Sequence, residues 1–312
     1  MRFLNILLLI IISVYSSYAQ TLVERLGYDT HAKLLIVNND DAGMCHSSNQ
    51  GTILGMENGL ISSATIMFTC DWSPAIVKYA LENPEKNFGV HLTLTSEWKS
   101  YKWGSVAPPT HVSSLLDEHG KLWAGVRDVY KYAKPEHAYL EGKAQIQKAL
   151  DYGLDITHID SHMGTLQLHP EYLEKYVQLA VDFNLPLRMA SQSTHERFQM
   201  GNLREICRKK GLIFPDFLIY EELENYNSTD VESFWVNVIN NLSAGVTELY
   251  LHASTESDEL KAITNSWKKR AQELDAFTSS EAVKNALKQN NVHIISYRQL
   301  RDLQRSTLNN KN

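Results

Sequence analysis

Short, continuous apolar runs recur along this chain, and each gives way to a longer amphipathic stretch. Leu34–Asn38, Ala64–Phe68, Phe88–Thr93, Ile156–Asp160, Leu185–Met189, Leu212–Phe214, Thr247–His252 and Val292–Ser296 read as strands. Several lack polar alternation, as strands covered on both faces do. Ala75–Glu82, Glu136–Tyr152, Glu171–Phe183, Val231–Asn241 and Ser280–Gln289 read as helices, with Ser279 or Ser280 available to cap the last. About eight strands alternating with helices predict an α/β fold, a regular or distorted TIM-like (β/α) barrel. An open doubly wound sheet is the alternative. Residues about 96–135 break the rhythm with Trp98, Trp103, Pro108, Pro109 and Trp123, and read as an insertion or lid. No linker or repeat interrupts residues 20–312, which are expected to form a single domain.

The N-terminus carries Arg2, the apolar run Ile6–Ile12, and small residues at Ser17 and Ala19. That layout predicts a signal peptide over residues 1–19, cleaved near Ala19. The run is short for a spanning helix, which needs about 20 apolar residues. The expectation is a secreted or periplasmic protein with no stable membrane span after cleavage. Cys45, Cys70 and Cys207 are odd in number and include no CxxC, so buried free thiols are expected rather than a disulfide framework. A formal net charge of −6 offers no general basic face for nucleic acid. Motifs for phosphate-cradling loops, nucleophile elbows and zincins are absent from the sequence.

Polar residues collect where the apolar runs end. Leu34–Asn38 leads into Asn39, Asp40 and Asp41; Phe88–Val90 leads into His91; Ile156 and Thr157 lead into His158, Asp160 and His162. Leu185–Leu187 leads into Arg188, and Leu249–Leu251 into His252. In a parallel α/β fold the carboxyl ends of the strands open on one face, so these five segments are expected to share a cavity. Asp40 and Asp41 read either as a turn before Gly43 or as two carboxylates with divided roles, metal ligand and proton acceptor. His91 alone reads as a core histidine or a ligand. In an extended segment His158, Asp160 and His162 share one face, and their donors suit Zn²⁺, Mn²⁺ or similar ions. Arg188 reads as a partner of a site carboxylate or of substrate, and His252 as a general acid or a residue closing a barrel layer.

The runs Leu35–Gly43, Gly89–Leu92, Thr157–His162 and Glu248–His252 together resemble the YdjC/ChbG-type carbohydrate deacetylases. Glu141–Ile146, Arg270, Glu273-Leu274 and Ile294–Arg298 extend the likeness, so that it runs from about Lys33 to Leu303. The resemblance implies a distorted TIM-like barrel and one divalent metal ion, Zn²⁺ or Mg²⁺ first among the candidates. It implies Asp41, His91 and His162 as ligands, Asp40 as general base, and His252 as general acid or oxyanion partner. It also implies hydrolysis of an N-acetyl group from an amino sugar or oligosaccharide. On that scheme His158 and Asp160 orient His162 and its neighbours from behind. The chain departs from the family pattern at Asn39, Ala42, Met163–Leu166 (including Gly164) and Ala253, positions expected to shape the substrate wall. Trp98, Trp103 and Trp123 are either sugar-stacking rings or the insertion's own small core. Two other functions fit the residues: a metal-dependent hydrolase of another amide, an ester or a phosphate, and a non-catalytic glycan-binding protein. The oligomeric state is left open.

Overall fold

A computed structural model of the protein describes residues 20–219 and 230–309. The segment read as a signal peptide, 1–19, lies outside the described residues. Seven parallel strands form one sheet: β1 (Lys33–Ala42), β2 (Ser63–Ile66), β3 (Phe88–Leu92), β4 (Ile159–Ser161), β5 (Phe217–Ile219), β6 (Gly245–Leu251) and β7 (Val292–Ile295). The order is β4-β3-β2-β1-β6-β5, with β7 also on β1. β1 is the axis. It pairs with β6 along one edge over Lys33–Asn39. Its other edge is shared, β7 taking Lys33–Ile36 and β2 taking Asn38–Ala42. The result is an α/β half-barrel, consistent with a distorted TIM-like barrel, and Leu35, Ile36 and Val37 of its axis are fully buried.

Two of the expected strands are absent, and proline is the physical reason in each case. Leu185–Met189 lies beside β4, but only Leu187 bridges to Ile159, because Pro186 has no N–H to donate to a ladder. Leu212–Phe214 is buried without sheet pairing; Ile213 N–H goes instead to Gln304 Oε1 (2.7 Å), and β5 starts only after Pro215. Side chains join these two segments. Ser191 Oγ accepts from Leu218 N–H (2.9 Å), and Arg204 donates to Ala190 O and Pro215 O, both at 2.6 Å.

The five expected helices form, at Ser73–Glu82, Pro135–Asp151, Pro170–Asp182, Val231–Asn240 and Glu281–Gln289. Ser280 Oγ caps the last by accepting from Val283 N–H. The insertion is packed down rather than free. Glu141 of helix Pro135–Asp151 accepts from Val106 and Ala107 N–H, and Gln145 bonds both backbone groups of Thr93. Trp103 is buried, meets Trp98 edge-to-face, and donates Nε1–H to Thr95 O, while Trp123 stacks on Tyr132. These tryptophans join the main core, with Trp103 also meeting His162 edge-to-face and Arg270 lying over Trp98. All three cysteines are free and buried, as expected. Among the described residues no helix is long and apolar enough to cross a membrane.

Candidate metal centre

Successive side chains on a strand point to opposite faces, so Asp40 and Asp41 cannot both enter one cavity from a regular strand. β1 solves this with a register irregularity against β2 between Asn39 and Ala42, where Asp41 adopts φ 64°. Aspartate tolerates that left-handed conformation better than most residues, and the bulge turns both carboxylates inward. Both are buried.

Asp41 Oδ1 lies 3.3 Å from His91 Nε2 and 3.4 Å from His162 Nδ1, and those two nitrogens are 3.2 Å apart. A cation bound at about 2.0–2.1 Å with near-tetrahedral angles separates its ligand atoms by about 3.3–3.4 Å, so the triangle fits one. Two further observations agree. Both Asp41 oxygens are buried without a hydrogen bond, Arg270 Nη2 standing 2.8 Å from Oδ2 as an ion pair. Around the site, buried Asp40, Asp41, Asp160, Glu248 and Glu273 share Arg188 and Arg270, together with His91 and His162 when these are protonated. A divalent cation would replace the positive charge that the two histidines give up on losing their protons.

Each proposed ligand histidine is held from behind by a carboxylate. His91 Nδ1 sits 2.6 Å from Asp160 Oδ1, and His162 Nε2 sits 3.1 Å from Glu97 Oε2. Such pairs fix the ring and strengthen the other nitrogen as a donor. Asp160 therefore orients His91 rather than His162. His158 is a layer further back, with Nε2 3.2 Å from Asn38 Oδ1 and its ring stacked on Tyr297 at 3.7 Å. It supports Asn38, which in turn donates to Asp40 Oδ1 (2.9 Å).

Asp40 faces Arg188, whose Nη1 and Nη2 each lie 2.7 Å from one carboxylate oxygen. Arg188 also contacts Asp160 Oδ2 (3.1 Å) and donates Nε–H to Glu248 Oε1 (2.8 Å). Tyr297 donates to the other Glu248 oxygen. A second grouping of acids and histidine, Asp40 with His91 and Asp160, thus already has a guanidinium between its carboxylates. Burial alone would raise the Asp40 pKa, but Arg188 outweighs it and holds the carboxyl well below the ordinary range. Burial raises Glu248 to about 7 despite Arg188. His252 is half-buried at the end of β6; its N–H donates to Glu273 Oε2 (2.9 Å), and enclosure lowers its imidazole to about 4. Asn39 clamps the same loop, accepting from Ala253 N–H (2.6 Å) and donating to Ala253 O and Thr52. The departures at Asn39 and Ala253 are therefore one contact.

Gly89 shows how tightly this end of the barrel closes. A Cβ there would stand 2.5 Å from His158 O and 2.6 Å from His158 Nδ1. Gly89→Ala is expected to lower stability by about 1–3 kcal/mol, read as a fall in the urea midpoint at unchanged slope.

Without a cation, burial would lower both ligand imidazoles, yet Asp160 and Asp40 raise His91 to about 10 and Glu97 and Asp41 raise His162 to about 9. Both then hold protons at neutral pH, and a metal must displace them. Metal uptake at pH 7 is expected to release up to about two protons. The apparent association constant should rise with pH by up to about tenfold per unit for each histidine, the His162 contribution ending near pH 9 and that of His91 near pH 10. Calorimetry in buffers of different ionisation enthalpy reads both effects.

Sequence reading brought Asp40, Asp41, His91, His162, Asp160, Arg188 and His252 to one cavity, and the structure places all seven there or directly behind it. It missed Glu97 and Glu248. Glu248 had a signal: with Tyr250 and His252 it keeps the alternate spacing of one strand face. Glu97 lies in the loop after β3, where no periodicity points to it.

Comparison with known proteins finds relatives over most of the chain. The family model described as YdjC-like protein matches residues 34–289. A carbohydrate deacetylase of Thermoanaerobacter pseudethanolicus is 27% identical over 265 residues, covering 85% of this chain and 98% of that protein. A carbohydrate deacetylase of Enterococcus faecalis is 27% identical over 270 residues, covering 86% and 98%. A crystal structure from Enterococcus faecalis, described as a candidate cellobiose-phosphate cleavage protein, superposes with a TM-score of 0.76 at 27% identity, covering 86% of this chain and 99% of that one.

Proposed function

This chain belongs to the YdjC-like protein family, and from that premise we propose that it is a metal-dependent hydrolase removing N-acetyl groups from amino sugars or their oligosaccharides. The observation that carries the reading is the buried Asp41–His91–His162 triangle, with each histidine braced by its own carboxylate, beside an aspartate held in the Arg188 fork. Relatives named carbohydrate deacetylase support the reaction class.

Asp41, His91 and His162 would hold the ion. When bound, a divalent cation supplies Lewis-acid polarisation of the amide carbonyl and makes water more acidic. Asp40 takes the water proton. Its four lone-pair positions are not exhausted: Arg188 uses one on each oxygen and Asn38 a second on Oδ1, leaving one on Oδ2. Because Arg188 makes Asp40 a weak base, the proton is readily passed on, and the leaving amine is the stronger base that receives it. His252, held neutral by enclosure, offers one N–H. That suits an oxyanion or leaving-group partner better than a source of protons. Residues 1–19 support secretion as the setting.

Acetate release from a panel of N-acetylated sugars by the purified chain tests the reading. Acetate should appear from N-acetylglucosamine or its oligomers. Release of phosphate or of an ester acid with no acetate from any amide would overturn it.

A further inference from the structure

The cavity lined by Asp41, His91 and His162 encloses about 430 Å³, far more than an acetyl group fills. From Asp41, His91 and His162 it runs past Arg188 to the open side of the half-barrel, toward β5 and helix Gln192–Arg197. The walls change character along the way. Near the triangle they are carboxylates, imidazoles and guanidinium groups. The rest of the wall includes Met163, Leu168, Leu173, Met189, Phe198 and Leu218. Three of these are well exposed, Leu168 at 61%, Phe198 at 59% and Met163 at 46%. Large apolar side chains left in water and grouped at a reactive site mark a ligand surface.

The cations of the cavity are largely engaged with its own carboxylates. Arg188 is bound to Asp40, Asp160 and Glu248, and Arg270 is paired with Asp41 through Nη2, its Nη1 making no hydrogen bond. A phosphate or carboxylate far from the triangle would meet neither guanidinium, because Arg188 is fully engaged and the one free arm of Arg270 belongs to the group that pairs with Asp41. Tyr250 of β6 and His252 just beyond it line the same cavity, and His252 is the proposed partner of the departing amine. On that assignment an apolar part of the substrate belongs to the sugar side of the amide, not to its acyl side.

We propose that this wall is a subsite for an apolar aglycone, and that the chain acts on uncharged amphiphilic glycosides of N-acetylated amino sugars. The inference rests on the deacetylase reading, and the geometry on which it stands is the continuity of the apolar wall with the triangle.

Equilibrium binding tests it independently of turnover. The purified chain is titrated with methyl and octyl N-acetylglucosaminides below micelle-forming concentrations, and with the methyl glycoside carrying N-octanoyl in place of N-acetyl. The octyl glycoside is expected to bind at least about tenfold more tightly than the methyl glycoside, which two buried methylenes suffice to supply. In Leu168→Ala/Phe198→Ala that ratio should fall toward one. Equal binding of methyl and octyl glycosides, as when the groove is filled from within the chain, overturns the proposal. So does a ratio unaltered in the double variant, or a preference for the N-octanoyl compound. The same samples are assayed for acetate. A high octyl-to-methyl ratio without acetate would remove the deacetylase reading while leaving the subsite, and acetate release with a ratio of one would do the reverse.

Discussion

Replacing Asp40 with Asn is expected to lower kcat by about 10²–10⁴-fold while the protein still binds its metal. The side chain keeps its shape, and its amide oxygen can still face one arm of Arg188. What disappears is the lone pair that takes a proton from water. Asp40 makes no bond to His162, so the Asp41–His91–His162 triangle should persist. Kinetics beside a metal titration separate the two roles, because a carboxylate that merely shaped the metal site would lose affinity along with rate. Near-parental kcat in Asp40→Asn would remove it as the base.

Arg188→Met should have the largest effect on stability, about 3–5 kcal/mol. The guanidinium is buried among Asp40, Asp160 and Glu248, and the methionine leaves those carboxylates facing one another without their shared cation. Glu248 is the group that can adapt, because burial has already raised it to about 7, so it takes up a proton near neutral pH. Combining Arg188→Met with Glu248→Gln should therefore cost less than the two single changes added together, the mark of a directly coupled pair. Urea unfolding of the parent, both single variants and the double variant measures the coupling. A single Arg188→Met within about 0.5 kcal/mol of the parent would mean the buried charges are not what holds this end of the barrel.

Much of this was legible in the sequence because a parallel sheet delivers its strand ends to one face. Polar residues at the ends of five apolar runs were enough to gather Asp40, Asp41, His91, His162, Arg188 and His252. Chain order did not reveal which groups bear on which. Asp160 is two residues from His162, yet it braces His91 across the ladder, because β3 and β4 set His91 opposite Asp160. The brace of His162 comes from Glu97, in a loop whose path is set by Trp103 and Glu141 rather than by any local pattern. The bulge at Asp41 was illegible too, since a turn and a bulged strand use the same residues there. Strand prediction failed at Leu185–Met189 and Leu212–Phe214 because apolar runs next to proline bury as well as strands do but cannot donate a full ladder.

The most direct measurement is metal titration of stripped protein, with bound ion and acetate release from N-acetylglucosamine oligomers recorded together. Acetate release should be lost on stripping, return in proportion to bound metal, and saturate at about one equivalent. Asp41→Asn should show neither tight binding nor recovery. Undiminished acetate release by the stripped protein, or one equivalent bound by Asp41→Asn with parental affinity, would contradict a hydrolytic centre built on Asp41, His91 and His162.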